Sequence, residues 1–284
     1  VSSPKRAPGV TPALGTRLAP RIRSAEGWAA RAGEVRDAAK AAGVKGLPPA
    51  SATKTWGFLG SVFDYSPFLR GLAVGEPAWL AGLLKADPEA SLARILADAG
   101  SAWAAESQAD LMRRLRRGRR ELALLAALAD LGGVWDVVAV TAALSAFADA
   151  AVGSAARFVL AEAAAAGQLT LADKRDPARG SGWIILGMGK LGAGELNYSS
   201  DIDLIVLFDL ASARITEGNE PSVLFVRFTK KLVQILNEHT EDGYVFRTDL
   251  RLRPDPGATN IAISTDAALQ YYESLGQNWE RAAM

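Results

Sequence analysis

The segment GMGKLGAGELNYSSDIDLIVLFD, from Gly187 to Asp209, constrains the fold of this chain more than any other. It joins a glycine-rich turn to an apolar run, residues 204–208, that is typical of a buried strand. Two carboxylates, Asp201 and Asp203, stand at the start of this run. Burying a charge is costly unless a partner compensates it. The chain must therefore supply a partner for these carboxylates at the end of a strand.

Strand and helix patterns alternate around this segment. The apolar run Trp183–Met188 predicts a first strand and Asp201–Phe208 a second. A helix over Pro221–His239 and a third strand over Tyr244–Leu252 follow. The last pattern is a helix that begins at the sequence Ser-Thr-Asp, residues 264–266. Residues 173–284 therefore combine strands and helices.

The preceding region has a helical pattern throughout. Residues 25–172 are rich in Ala, Leu and Arg, with one looser aromatic stretch, TWGFLGSVFDYSPFLRGL. The predicted helices are Ala25–Ala42, Pro77–Ala86, Pro88–Ala99, Ala102–Leu131 and Asp136–Ala166. Residues 1–24 contain several prolines and little periodicity, and we expect a flexible arm without a core of its own. Proline, glycine and charge cluster in LADKRDPARGSG and predict a domain boundary near residue 173. These patterns predict an α+β protein with an all-helical N-terminal region.

Composition excludes several classes of site. The chain has 284 residues and no cysteine, so thiolate chemistry is excluded, and its net charge of +1 argues against a general nucleic-acid or membrane-surface protein. The single histidine, His239, argues against a Ser-His-Asp hydrolase, and its place in the last predicted helical turn suits the helix dipole. No charge-free run reaches the ~18 residues of a membrane span, and no export signal is recognised. We expect a cytoplasmic protein.

The two aspartates suggest a metal site. Alternate residues of a strand share a face, so Asp201 and Asp203 would point together while Ile202 and Leu204 enter the core. Two neighbouring carboxylates repel each other unless a cation lies between them, and Mg²⁺ binds one or two carboxylates together with phosphate oxygens. A purely structural interpretation, as a strand-edge charge or a turn cap, remains open.

The predicted third strand adds a further carboxylate. In VFRTDLRLRP, Arg247, Asp249, Arg251 and Arg253 alternate with apolar or neutral residues. Beside the first pair, Asp249 would complete a two-metal site, flanked by arginines that can hold phosphate oxygens. The alternative is an exposed charged face of an edge strand.

The glycine-rich turn supplies the remaining candidates. Glycines at positions 187, 189, 192 and 194 permit a close approach of the backbone, and Lys190 offers a positive charge. Gly189, Lys190, Ser199 and Ser200 are therefore candidates for binding phosphate or nucleotide. The order of residues matches neither a Walker P-loop nor a dinucleotide-binding fingerprint.

These motifs together resemble a known family. A glycine turn, ten residues, Asp-Ile-Asp and a later strand aspartate resemble the polymerase-β-like nucleotidyltransferases, although Lys190 departs from their usual Gly or Ser. The strings GMGKLGAGELNYSSDIDLIVLF, RTDLRLRP and YYESLGQNWERAAM resemble the bifunctional glutamine synthetase adenylyltransferase/adenylyl-removing enzymes. The arginine-rich string from residue 115 to residue 152 also resembles the N-terminal region of that family. The resemblance covers roughly residues 55–284, and we expect a fragment of a longer protein.

The resemblance implies an activity. It implies a small mixed sheet, Mg²⁺ bound by Asp201, Asp203 and Asp249, and phosphate held by Arg251, Arg253 and Lys190. Asn197 and Ser199 resemble the half that removes AMP from a tyrosine of glutamine synthetase by phosphorolysis, releasing ADP. Forward adenylylation from ATP, or a regulatory domain that binds nucleotide or PII without turnover, are the alternatives. The implied partners are adenylylated glutamine synthetase, the PII signalling protein, phosphate and ADP or ATP, without nucleic acid or membrane.

One charged segment falls outside these motifs. RRLRRGRRE carries six arginines, Arg113, Arg114, Arg116, Arg117, Arg119 and Arg120. A charge run on a helix is usually a solvated face. The functional alternative is a docking surface for glutamine synthetase or for other domains, involving Arg116 and Arg117.

Overall fold

The computed structural model describes residues 12–276 and residue 280. The chain forms two compact units, each built from two chain segments. The first unit comprises Val1–Ile95 and Arg120–Val140, and the second comprises Leu96–Arg119 and Thr141–Met284. The domain boundaries predicted from the sequence, after residues 24 and 172, stay predictions.

The described part of the first unit is helical. Its helices are α1 (Leu14–Arg17), α2 (Trp28–Ala41), α3 (Thr53–Tyr65), α4 (Pro67–Gly75), α5 (Pro77–Lys85) and the start of α6 (Pro88–Ser101). The aromatic stretch expected to be loose instead forms α3 and α4. Its large side chains occupy the core, with Trp56 and Phe63 only 1% and 0% exposed. Ser66 separates the two helices, because its hydroxyl accepts the N–H of Leu69 and caps α4.

The described residues of the predicted arm pack on the first unit. Leu14 is fully buried, and the N–H groups of Ala19 and Arg21 donate to the carbonyls of Gly132 and Leu131. Residues 12–24 therefore share the core of this unit, although proline content alone indicated a free arm. Residues 1–11 lie outside the described residues.

Two long helices run through both units. They are α7 (Gln108–Leu131) and α8 (Val137–Ala165), and a short 3-10 helix, Ala102–Ala104, precedes α7. The helix predicted to begin at residue 102 is therefore interrupted before Gln108. By length and composition α8 could cross a membrane, but 50% of its most apolar window is buried inside the protein. In the second unit α8 contributes core side chains such as Phe147 and Val159.

A small mixed sheet lies in the second unit, as expected for the α+β class. The strands of the sheet are β1 (Trp183–Met188), β2 (Ile202–Phe208), β3 (Thr248–Asp249) and β4 (Ile263–Ser264). The second unit also contains the helices α9 (Gly189–Gly192), α10 (Pro221–Asn237) and α11 (Thr265–Ser274). Strand β2 is central: it pairs antiparallel with β1 and parallel with β3 and β4. The first strand has the bounds predicted for it. Helix α11 begins where predicted, with the Ser264 hydroxyl accepting the N–H of Ala267.

Helix α10 covers one face of this sheet. Its Phe225 stacks on Phe208 of β2 with ring centroids 4.8 Å apart, and Phe228 lies 5.8 Å from Trp183 of β1. The helix ends at Asn237 rather than at His239, so the histidine lies beyond the last turn and packs against Tyr244. The apolar stripe predicted for this helix is confirmed as core.

The third strand is much shorter than predicted. Only Thr248 and Asp249 pair with β2. The N–H groups of Val245 and Phe246, predicted to belong to the strand, both donate to the carbonyl of Leu236 at the end of α10. Pairing with a helix terminus removes these residues from the sheet. The fourth strand, β4, was not predicted because two residues carry no detectable alternation.

Candidate functional site

Asp203 and Asp249 are direct neighbours in the sheet. The parallel register of β2 and β3 pairs Asp203 with Asp249 and Ile202 with Thr248. Ile202 and Leu204 are 0% and 1% exposed, which confirms that they enter the core while Asp203 faces the other way. Adjacent strands lie about 4.8 Å apart, so the two carboxylates share one site.

Asp201 lies beside this pair but outside the strand. It is exposed and precedes β2, which begins at Ile202. Burial, followed by the charges of Asp249 and Asp201, raises the pKa of Asp203, and Arg251 acts in the opposite direction. The charges of Asp249 and Asp201 therefore both act on Asp203.

The turn after β1 approaches the same carboxylates. Gly189 has a φ of +52°, a left-handed conformation that glycine adopts without strain. A Cβ at Gly189 would lie 3.2 Å from Oδ2 of Asp203, so a side chain here would press on the carboxylate. The next residue, Lys190, is exposed on the short helix α9. The glycine turn and the carboxylates thus form one continuous surface.

Arg251 is bound to Asp249. Its Nε lies 3.0 and 2.8 Å from the two carboxylate oxygens, and its backbone N–H also donates to Oδ1 at 2.8 Å. This side-chain hydrogen bond is the main cause of the lowered pKa of Asp249. The Arg251 side chain is 83% exposed, so a ligand arriving from solvent can reach the guanidinium.

Arg253 acts on this cluster through its charge, which is a further cause of the lowered pKa of Asp249. Its guanidinium donates to the carbonyls of Leu250, Pro256 and Thr259 and thereby closes the loop that follows β3. The strand that was expected to place Arg251 and Arg253 on one face ends at Asp249. Beyond that residue the alternation of a strand no longer sets side-chain direction.

The two serines lie in the loop between α9 and β2. Ser199 is exposed, and Ser200 folds back so that its hydroxyl accepts the N–H of Asn197 at 3.3 Å. The loop is anchored at its start, where the Ser145 hydroxyl of α8 accepts the N–H of Leu196. The role of both serines in binding phosphate or nucleotide stays a prediction.

Two further arginines hold this loop, and the sequence did not single them out as site residues. Arg119 of α7 donates to the carbonyl of Tyr198 at 2.8 Å, and Arg247 donates to the carbonyl of Ser199 at 2.8 Å. The only sequence signal for Arg119 is its place in the arginine run, where every member looks alike. Arg116, considered for a docking surface, is instead completely buried.

The donor set suits a hard divalent cation. Carboxylate oxygens are the protein ligands that Mg²⁺ prefers, and Asp203 and Asp249 present them side by side. In the described residues, however, no three acidic or histidine side chains converge on one point. Arg251 occupies the oxygens of Asp249 in this arrangement. The residues fit a metal ion, and the three-carboxylate ligand set stays a prediction.

A separate cavity lies behind the sheet. It has a volume of about 240 Å³ and is lined mainly by apolar groups, among them Val152, Trp183 and Leu204. Leu204 alternates with Asp203 along β2, so this cavity faces away from the carboxylates. It does not belong to the candidate site.

Comparison with known proteins identifies the family. Residues 56–284 match the family model described as glutamate-ammonia ligase adenylyltransferase. The chain belongs to this family. The matched range agrees with the resemblance found from the motifs, and the nucleotidyltransferase fold expected from them is consistent with it. The string YYESLGQNWERAAM lies partly outside the described residues.

Several curated relatives carry one name, bifunctional glutamine synthetase adenylyltransferase/adenylyl-removing enzyme. The relative from Xanthobacter autotrophicus is 53% identical over 77% of this chain and 22% of its own length. Relatives from Bradyrhizobium diazoefficiens and Rhizobium meliloti are 50% and 48% identical over 78% and 88% of this chain. The chain spans 22% and 26% of the length of these two relatives.

Proposed function

We propose that this chain removes AMP from an adenylylated tyrosine of glutamine synthetase by Mg²⁺-dependent phosphorolysis. The observation that carries the proposal is the register of Asp203 beside Asp249 at the glycine turn. Negative side chains whose charges raise the pKa of Asp203 contribute little to simple binding, and they suit a reaction in which metal ions held by them would neutralise negative charge.

The proposed chemistry needs no histidine base. An oxygen of hydrogen phosphate forms a bond to the phosphorus of AMP, the bond from phosphorus to the tyrosine oxygen breaks, and the proton of the phosphate ends on the tyrosine. The products are ADP and unmodified glutamine synthetase. Bound Mg²⁺ supplies charge neutralisation and polarises the phosphate oxygens. Catalysis is then mainly positioning and electrostatics.

Specific side chains have specific roles in this proposal. Asp203 and Asp249, with Asp201 beside them, would hold the metal ions. Arg251 carries an exposed planar guanidinium that can exchange the Asp249 carboxylate for two phosphate oxygens. Lys190 would add positive charge from the glycine turn. Arg253 would act on phosphate through its charge, since its guanidinium also donates to loop carbonyls.

The direction of the reaction rests on the loop before Asp201. Asn197 and Ser199 resemble the AMP-removing half of the family, whereas the carboxylates suit either direction. Transfer of AMP from ATP is therefore the second candidate, followed by a nucleotide- or PII-binding regulatory domain without turnover. The proposed setting is the cytoplasm, with PII as a regulatory partner and without nucleic acid or membrane. The net charge of +1 supports these last two exclusions.

Product analysis tests the direction. Glutamine synthetase carrying radiolabelled AMP is incubated with the intact gene product that contains this chain, with Mg²⁺ and with or without phosphate. We expect label in ADP only when phosphate is present, and loss of this release in Asp203→Asn while incorporation of AMP from ATP persists. Loss of incorporation instead would assign the chain to the transferase direction. Label in free AMP would indicate hydrolysis.

A further inference from the structure

The backbone immediately before Asp201 is held by two guanidinium groups. Arg119 and Arg247 donate to the successive carbonyls of Tyr198 and Ser199, each at 2.8 Å. Strand pairing begins directly afterwards, where the N–H of Ile202 donates to the carbonyl of Arg247 at 2.9 Å. The backbone that leads into β2, the strand of Asp203, is therefore held by contacts outside the strand.

Arg119 also contacts the approach to the second carboxylate strand. Its guanidinium lies 5.3 Å from the ring centre of Phe246, which precedes β3 and is only 4% exposed. A cation over an aromatic face is attracted by the ring quadrupole, and the attraction strengthens when water is excluded. One side chain thus bridges Tyr198 before β2 and Phe246 before β3.

Arg116, one helical turn earlier on α7, supports the same arrangement. Its side chain is 0% exposed and donates to the carbonyls of Ile235 at 3.2 Å and Gly243 at 2.8 Å, and to that of Glu238. These carbonyls belong to the end of α10 and to the turn leading into β3. Positions three apart on a helix share one face. The face of α7 that carries Arg116 and Arg119 therefore contacts both segments leading into the carboxylate strands, which are β2 with Asp203 and β3 with Asp249.

We propose that Arg119 is a positioning residue that fixes the spacing between Asp203 and Asp249 by tying the segments before their strands together. Arginine suits this role because its guanidinium can donate to a carbonyl while its plane contacts a ring. The arginine run is then more than a solvated face, since its inward members organise the carboxylate strands. The catalytic consequence rests on the function proposed above, whereas the structural part does not.

The test compares Arg119→Met, Arg119→Lys and the control Arg113→Met in the intact gene product. Methionine keeps packing against the Phe246 ring but cannot donate to Tyr198. Arg113 lies on the same helix, its side chain is 64% exposed, and it pairs with Asp110. Amide hydrogen exchange is followed at Ile202, whose N–H donates to the carbonyl of Arg247 at the start of β2.

In Arg119→Met we expect at least about tenfold faster exchange at Ile202, with exchange in the first unit unchanged. Turnover should fall about 10- to 100-fold because small displacements of reacting groups are costly, with the KM for phosphate little changed. Arg119→Lys, which retains one hydrogen-bond donor, should restore part of the protection at Ile202 and part of the turnover. The control should match the wild type.

Three outcomes are decisive. Wild-type exchange at Ile202 in Arg119→Met overturns the inference, whatever the activity. Faster exchange throughout the second unit in Arg119→Met would show a general structural role and would also overturn the inference. If Arg119→Met does not fold, the exchange at Ile202 and throughout the second unit is measured in Arg119→Lys instead. If the wild type releases no ADP, the proposed function fails, while the exchange data still decide the role of Arg119.

Discussion

Gly189 lies against Asp203, and a Cβ at the glycine would stand 3.2 Å from the carboxylate oxygen Oδ2. The glycine turn therefore packs directly against β2, the strand that carries Asp203. Gly189 also has a φ of +52°. Glycine is therefore favoured at this position both by the left-handed backbone and by the short distance to the carboxylate. The turn and the carboxylate strand form one site rather than two neighbouring motifs.

Gly189→Ala should reduce activity more than stability. Left-handed backbone costs alanine about 1–2 kcal/mol, and the new methyl group must displace the Asp203 carboxylate by a few tenths of an ångström. Gly194→Ala is the matched control, since Gly194 has a φ of +72° but no atom within 4 Å of its Cβ position. We expect similar melting temperatures and about tenfold lower turnover only for Gly189→Ala. Equal turnover in the two variants would contradict the contact argument.

Asp203→Asn and Asp249→Asn should each lower phosphate-dependent turnover by about three orders of magnitude, because each removes a charge proposed to ligate Mg²⁺. The fold should persist, since neither carboxylate lies in the apolar core. Asp209→Asn, beyond the other end of β2, is the control and should remain active. The measurement combines Mg²⁺-dependent ADP release with thermal melting. Near-normal turnover in both site variants would exclude a metal role for this pair.

Arg251→Gln should have two opposite effects. The KM for phosphate should rise about tenfold, because an exposed guanidinium proposed to hold phosphate is lost. The Mg²⁺ concentration for half-maximal activity should fall, because both oxygens of Asp249 are released from the arginine. Titrations of phosphate and Mg²⁺ measure the two effects separately, with the exposed Arg214→Gln as control. A rise in both the KM for phosphate and the Mg²⁺ concentration for half-maximal activity would argue against the proposed exchange of Asp249 for phosphate at Arg251.

Arg116→Met should destabilise the protein by about 3 kcal/mol or more. The substitution removes the hydrogen bonds from the buried guanidinium to the carbonyls of Met112, Ile235 and Gly243, and a hydrogen bond from a charged group contributes about 1.5–3 kcal/mol. Arg113→Met, on the exposed side of the same helix, should leave the denaturant midpoint unchanged within error. Urea unfolding followed by circular dichroism makes the comparison. Equal midpoints for the two variants would show that burial of Arg116 is unimportant.

Glu89 should make the stability of the first unit depend on pH. Burial opposes its ionisation, but hydrogen bonds from Arg17 and Trp135 prevail and lower the pKa of Glu89 from 4.5 to about 2. A lowered folded-state pKa stabilises the native state above pH 4.5, and this contribution is lost as pH falls from 4.5 towards 2. Glu89→Gln should therefore melt earlier than wild type at pH 7, with a gap that closes in acid.

The matched control for this measurement is Glu26→Gln, which changes an exposed carboxylate of the same unit. Its melting temperature should follow that of the wild type at every pH. A gap between wild type and Glu89→Gln that persists unchanged at pH 2 would rule out ionisation of Glu89 as its cause.

The sequence alone determined the elements whose signals are local. The bounds of β1, the burial of Ile202 and Leu204, and the Ser264 cap of α11 follow from alternation, apolar runs and capping chemistry. The family could also be recognised from the sequence, because the glycine turn and the Asp-Ile-Asp sequence lie within one short segment.

Only the tertiary structure decided how distant residues meet. The length of β3 depended on Leu236, whose carbonyl takes the N–H groups of Val245 and Phe246 away from the sheet. The inward position of Arg116 and Arg119 could not be read from their run, because a buried arginine and a solvated one have the same local sequence. Their tertiary acceptors are carbonyls about 80 to 130 residues away, and every residue type offers a carbonyl. Sequence therefore identified the carboxylates, whereas tertiary packing decided which arginines hold them in place.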